Sequence, residues 1–433
     1  MGQVYPRTGC PNRRQKLPGN FCLLSSTPPL HQNIGMQDGN DITYFAKLKY
    51  RNWGTVFGIR QEDRLMHTYI IGKTGTGKST MLKTMLLQDI AAGRGVCLLD
   101  PHGDLVQSIM DAIPPERKDD VIYFNVPDIS LKLKYNPFRK VTYEKRSLVA
   151  SGILEVFKKL WDDAWGVKLE HILRYCILTL LDQEQATIAD IPKLLLDKSF
   201  RYKAMAAIKN DSVRAFWQKE FGEYNKYDLL PVLNKVGGML AHPVIKRVLI
   251  ENTEEISLRK TMDQKKILLV NLSKGHVGED VALILGALFI SSISSASFSR
   301  VDSPEEDRVP FMVYMDEFHN FTTLSLVNMF SELRKFKVGL TLAHQYMHQL
   351  DDDIRHAVFG NIGTLISFRV GTEDALFLTK EMYPVFDLED FINLPNQSIY
   401  LRLMIDGTPS QPFSAITIQH SDVRKQPSSF SSL

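Results

Sequence analysis

The sequence predicts an α/β fold in which a central, mostly parallel sheet carries an inserted all-α domain. Three observations carry that expectation. A glycine-rich loop lies between the apolar run Tyr69-Ile70-Ile71 and a helical segment, about Lys78 to Ala92. Further short apolar runs recur along the chain, and two of them end in acidic residues: Val96 to Leu99 before Asp100, and Phe311 to Met315 before Asp316-Glu317. Between them, from about Tyr143 to Leu258, apolar residues recur at helical spacing, as in Leu148, Ile153, Leu154, Phe157 and Leu160. Strand, helix and strand within about 30 residues form a βαβ unit, which implies a parallel sheet.

The first of these elements is also the most specific. Gly72-Lys73-Thr74-Gly75-Thr76-Gly77-Lys78-Ser79 fits G-x-x-x-x-G-K-[ST] at every required position. Glycines let the backbone wrap phosphate with its N–H groups pointing inward, at the positive end of the following helix. The residues expected to bind nucleotide are therefore Gly72, Lys73, Thr74, Gly75, Thr76, Gly77, Lys78, Ser79 and Thr80. Lys78 is expected to reach the β- and γ-phosphates of ATP, and the Ser79 hydroxyl to ligate Mg²⁺.

A phosphate loop that hydrolyses ATP needs a second metal-holding carboxylate and a base. Asp316 ends an apolar strand and is expected to hold Mg²⁺, with Glu317 one step beyond it as general base. Gln345 follows the strand Val338 to His344, where a neutral amide can sense the γ-phosphate or orient water; the alternative is a solvent-facing strand end. Arg334 and Arg369 are candidates for charge stabilisation, Arg334 after the predicted helix Leu324 to Leu333 and Arg369 within the strand Thr364 to Val370. Arg369 reads equally as an ordinary salt-bridged residue. Asp100-Pro101-His102-Gly103-Asp104 lies at the carboxyl end of a parallel strand, where ligands of α/β sheets collect. Asp100 could approach the metal or the water, or Asp100 and Asp104 could cap the next helix.

The remaining elements follow in order. Tyr44 to Ile59 contains strand-like pieces, Val121 to Val126 and Lys266 to Leu272 read as buried strands, and Val281 to Ile293 as a buried helix broken by small and polar residues. Ser398 to Met404 and Phe413 to Ile418, joined through Asp406-Gly407, read as a closing hairpin. The predicted units are a disordered leader (1–40), two parts of the nucleotide-binding domain (41–140 and 263–420), the all-α insertion (141–262) and a disordered tail (421–433).

Composition bounds the function. With 433 residues, 44% of them hydrophobic and 23% charged, the chain is globular, and a net charge of +3 gives it no wholesale basic character. Any nucleic-acid contact must come from a local patch or a pore lined by an oligomer. The insertion from Arg139 to Lys266 has a mild basic excess, 23 Lys/Arg against 17 Asp/Glu. Cys10, Cys22, Cys97 and Cys176 form no CxxC pair and read as reduced thiols of a cytosolic protein. No apolar run reaches the roughly 18 residues that a membrane span needs.

Taken together, the phosphate loop, Asp100-Pro101-His102-Gly103-Asp104, Tyr314-Met315-Asp316-Glu317-Phe318 and Leu333-Arg334-Lys335 to Ala343-His344-Gln345 resemble the type IV secretion coupling ATPases, the TraD/TraG-like conjugative DNA-transfer proteins of the HerA–FtsK group. The resemblance covers roughly residues 55 to 418. It implies a RecA-like P-loop NTPase that forms a homo-hexameric ring around DNA, with Arg334 acting as arginine finger on a neighbour's ATP. It also implies relaxase and secretion-channel partners, recruited in part by the all-α domain. Many members carry amino-terminal transmembrane helices, for which this sequence shows no candidate. The expected location is therefore cytoplasmic, or peripheral at the inner face of the membrane through partners. Two other readings stay open: a soluble HerA-like translocase or helicase of repair or phage defence, and a DNA- or relaxase-binding adaptor whose nucleotide site serves assembly.

Overall fold

The computed structural model describes residues 41–424 except 50–53, 140 and 163–164, so the expected leader and residues 425–433 of the expected tail lie outside the described residues. Fifteen strands occur among them. In chain order they are β1 Ile42–Leu48, β2 Val56–Arg60, β3 Thr68–Ile71, β4 Gly95–Asp100, β5 Val121–Asn125, β6 Leu133–Lys134, β7 Glu254–Glu255, β8 Ile267–Asn271, β9 Phe311–Met315 and β10 Val338–His344. They continue as β11 Thr364–Ser367, β12 Ser398–Arg402, β13 Met404–Ile405, β14 Thr408–Pro409 and β15 Phe413–Thr417.

Eleven of these form one sheet in the order β2-β1-β15-β12-β11-β3-β10-β9-β4-β8-β5. Every neighbouring pair from β11 to β5 is parallel. Beyond β11 the sheet continues antiparallel through β12, β15, β1 and β2. The parallel strands are continuous apolar runs because both faces are covered. Their side chains alternate between two cores. Tyr69, Ile71, Val313, Met315, Leu340 and Leu342 face one, while Ile70, Tyr314 and Ala343 face the other with the helix Lys78–Ala91.

That helix carries the phosphate loop at its start, and a buried charge network ties it to β9. Asp89 accepts from both Arg64 nitrogens at 2.7 and 2.8 Å and from Arg94 at 2.7 Å. The Tyr314 hydroxyl donates to the same carboxylate at 2.5 Å. Because Tyr314 lies two residues before Asp316, the network sets the phosphate-loop helix against the acidic strand end. A buried charge pair that loses one partner costs about 3–5 kcal/mol, which makes this a firm anchor.

The helix over the other face runs from Glu279 to Ser299, longer than the Val281 to Ile293 expected. The serines that interrupt its hydropathy do not interrupt its backbone. Ser295 and Ser297 donate to the carbonyls four residues back, at 3.0 and 2.7 Å. By length and composition it could cross a membrane, contrary to the reading of the sequence, but most of its apolar stretch is buried in the fold. Close neighbours make the burial tight: a Cβ at Gly286 would meet the Phe321 ring at 2.2 Å, and one at Gly152 would meet Ser291 Oγ at 2.4 Å.

Between β5 and β8 the described residues from Arg146 to Glu251 form a succession of helices, with β6 and β7 pairing in parallel at its root (Leu133↔Glu254, Lys134↔Glu255). The closing hairpin pairs β12 with β15, and its tip forms a separate ribbon of β13 and β14. Asp406 and Gly407, at φ 50 and 75, make the turn, and buried Asp63 accepts both of their N–H groups at 3.0 and 2.8 Å. Residues His420–Arg424 are helical rather than part of a disordered tail.

Candidate active site

The phosphate loop leaves β3 between the ends of β10 and β11, and three backbone bonds brace it. Gly72 N donates to His344 O at 3.3 Å, Lys73 N to Arg369 O at 2.8 Å, and Gln397 N to Thr76 O at 2.9 Å. Gly75 and Gly77 adopt φ 75 and 122, which side-chain-bearing residues rarely reach. Gly72 is needed for space instead, since a Cβ there would stand 2.5 Å from Phe368 Cβ. Gly72→Ala is therefore expected to displace the loop and weaken ATP binding about ten-fold or more. Titration with a fluorescent ATP analogue checks this, and wild-type affinity would contradict it.

Lys78 is buried and folds back onto the loop, donating to Gly72 O at 2.6 Å and Lys73 O at 3.3 Å. Burial lowers its pKa, opposed by the charges of Glu317 and Asp316. Ser79 Oγ donates to Asp316 Oδ2 at 3.2 Å, and Asp316 Oδ1 accepts Glu317 N at 3.0 Å. Burial, with Glu317 and Asp100 nearby, pushes Asp316 up to about 6. An acidic group so short of compensating charge, beside a serine hydroxyl, is a hard-oxygen donor set that fits Mg²⁺. Bound there, the ion would neutralise phosphate charge. Thr80 is exposed on the helix beyond Ser79.

Glu317 is buried and sits in the left-handed region (φ 46, ψ 50), a backbone strain of about 1–3 kcal/mol for a residue with a side chain. The strain turns the chain sharply at the strand end and leaves the carboxylate beside the loop. Gln345 bridges the two: its Nε2 donates to Glu317 Oε1 at 2.7 Å, and its Oε1 accepts from Thr74 Oγ1 at 2.9 Å. It is no free solvent-facing amide. The structure thus brings Lys78, Ser79, Asp316, Glu317 and Gln345 to the carboxyl ends of β3, β9 and β10.

Three candidates lie differently. Asp100 spends both carboxylate oxygens on the following turn, accepting His102 N at 2.9 Å and Val106 N at 3.0 Å, so it caps the helix Asp104–Met110. Arg369 lies just past β11 rather than within a strand, and its guanidinium donates to Leu394 O at 3.4 Å and Asn396 Oδ1 at 2.9 Å. Those are local commitments that steady the wall of the loop. Arg334 is exposed at the opposite edge of the sheet from the loop of its own chain, in the turn Leu333–Phe336 that precedes β10.

Residues given no role in the sequence reading complete the surroundings. His319 stands beside Glu317 and His344 packs against His319, while Gln397, at φ 65, closes the loop from the hairpin side. The only sequence signals were a histidine two residues past Glu317 and another just before Gln345. From the helical insertion, Lys159 donates to the carbonyl and hydroxyl of Thr322 at 2.5 and 2.8 Å, five residues beyond Glu317.

A family model described as the type IV secretion-system coupling protein DNA-binding domain matches residues 51–374. No curated protein matches. Among solved structures, the unbound bacterial conjugative coupling protein TrwBdeltaN70 superposes with a TM-score of 0.61 at 15% identity, covering 84% of this chain and 87% of that one. Plasmid coupling protein TrwB in complex with ADPNP gives 0.59 at 15% identity, over 84% and 88%. VirB4 of Thermoanaerobacter pseudethanolicus gives 0.58 at 15% identity, over 88% and 96%. At that identity the likeness shows the shared fold, a RecA-like P-loop domain.

Proposed function

The chain belongs to the type IV secretion-system coupling protein family, and we propose that it hydrolyses ATP between subunits of a ring to pump DNA in conjugative transfer. It is an ATPase that uses ATP with Mg²⁺, and it acts on DNA. The observation that carries the reading is the continuous bridge from Thr74 through Gln345 to Glu317, beside the Ser79–Asp316 pair. It joins the phosphate loop, the metal-holding carboxylate and the base on three adjacent parallel strands. A site used only for assembly has no need of a buried, strained glutamate connected to the loop.

In this reading Lys78 exchanges its loop carbonyls for phosphate oxygens, Ser79 and Asp316 would hold the metal, which would neutralise phosphate charge, and Glu317 draws a proton from the attacking water. Gln345 reports phosphate contact at Thr74 to Glu317 through its two ends. We take residues 141–262 as the inserted unit, entered and left beside the β6/β7 ladder. Its Lys159 contact to Thr322 offers a route by which DNA held there could bias the turn bearing Glu317. A homo-hexamer, relaxase and channel partners, and a cytoplasmic position at the inner face of the membrane reached through those partners complete the proposal.

The test is ATP turnover with and without DNA across a salt series. DNA is expected to stimulate turnover, and raised salt to weaken the DNA dependence steeply, as ions released from phosphates oppose binding. Turnover indifferent to single- and double-stranded DNA at low salt would overturn the DNA half of the proposal.

A further inference from the structure

The two carboxylate oxygens of Glu317 have different surroundings. Oε1 accepts from Gln345. Oε2 is buried and has no hydrogen-bond partner among the described residues. Facing it at 3.5 Å is Nδ1 of His319, also buried and also without a hydrogen-bond partner there. The arrangement follows from the backbone. Left-handed Glu317 leads into the turn Phe318–Phe321, which folds His319 back over the carboxylate two residues earlier. Phe318 and Phe321 are fully buried and pin that turn at both ends.

The ring is also held from behind. His344 lies with its ring centre 5.8 Å from that of His319 and packs edge-on against Phe318 at 5.0 Å. Its Nδ1 pairs with the Tyr69 hydroxyl at 3.1 Å, so β3 and β10 together fix its plane. A buried carboxylate oxygen without a donor is costly, and the His319 imidazole faces it at 3.5 Å.

We propose that His319 is a positioning residue for Glu317, donating from Nδ1 to Oε2 while Gln345 holds Oε1, with His344 and Tyr69 steadying the ring. The inference rests on the reading of Glu317 as the hydrolytic base. Burial, with the cations Lys274 and Lys159 around it, pushes His319 down to about 4, which keeps the ring neutral with one N–H to give. Two donors on two oxygens fix the plane of the carboxylate, whereas Gln345 alone leaves it free to rotate. The consequence falls on turnover and not on nucleotide binding, because His319 touches no loop residue through this contact.

The experiment uses the full chain with DNA present. His319→Ala is expected to lower kcat about ten- to a hundred-fold, the scale of a misplaced catalytic group, with KM for ATP and affinity for a fluorescent ATP analogue each within about two-fold. His319→Asn, whose amide can donate from the place of Nδ1, is expected to recover most of that loss. In a Glu317→Gln background, His319→Ala should change the residual rate by less than about two-fold, since no carboxylate remains to be positioned. A kcat for His319→Ala within two-fold of wild type, an asparagine variant no better than alanine, or an equal loss in the Glu317→Gln background each overturns the inference. A Glu317→Gln enzyme with full turnover overturns the reading of Glu317 and this inference together. His319→Ala at wild-type rate beside an inactive Glu317→Gln overturns the inference alone.

Discussion

Glu317→Gln is expected to reduce ATP turnover by about 10²–10⁴-fold, the usual contribution of a positioned general base, while ATP binding is kept. The substitution preserves shape, so Phe318 and the left-handed turn at φ 46 need not move. Glutamine can still accept from Gln345, which leaves the bridge to Thr74 intact. What is lost is the proton acceptor. The change also removes one of the negative charges that push Asp316 up to about 6. Asp316 then ionises more readily, and Lys78 loses one of the two negative charges that offset its burial. The hydrogen bonds of Lys78 and Ser79 do not involve Glu317, so binding of ATP and metal is expected to be kept. Phosphate release under saturating ATP and DNA, measured beside equilibrium titration of a fluorescent ATP analogue, separates the two effects. Turnover within about ten-fold of wild type would falsify the assignment of Glu317 as base.

The elements legible in the sequence are those written in consecutive residues. The phosphate loop, the apolar strand ending in Asp316-Glu317 and the strand before Gln345 each carry their meaning within ten residues. The same local grammar places each of them on a parallel strand. What depends on side-chain choice between equivalent partners was not legible. Asp100, at a strand end, could serve a metal or the next helix, and only the positions of His102 N and Val106 N decide for the helix. Arg369 could not be separated from a charge stabiliser until Asn396, 27 residues on, came beside it. The helix Glu279–Ser299 runs past the Ile293 at which its apolar run ends, because Ser295 and Ser297 there give their hydroxyls to the helix's own carbonyls. His319 shows the same limit. Its spacing from Glu317 is visible, but its approach to Oε2 exists only because Glu317 is left-handed.

Arg334→Ala is expected to cost about 10³-fold or more in turnover, as loss of an arginine finger does, and to act on a neighbour's site and not its own. β10 has seven residues, so at about 3.3 Å per residue Arg334 stands roughly 20 Å of strand away from the end where Gln345 meets the loop of the same chain. No rotamer spans that distance. The side chain is nevertheless presented with care. Leu333 and Phe336 are buried on either side of it, Phe336 packs edge-on against Phe298 at 5.4 Å, and Arg300 and Arg308 donate to the carbonyls of Phe336 and Lys335. With the turn fixed at that many points, only the exposed side chain's own freedom remains to be given up on docking, which suits a group that would meet a neighbour's γ-phosphate. Mixing Arg334→Ala subunits into wild-type assemblies should therefore depress turnover more steeply than the mutant fraction, because each mutant silences an intact loop next to it. Isolated Arg334→Ala protein should still bind ATP with wild-type affinity, since its own loop is untouched. A strictly linear fall of activity with mutant fraction would place the arginine's effect within its own chain, which the geometry of β10 does not permit, and the ring reading would fail with it.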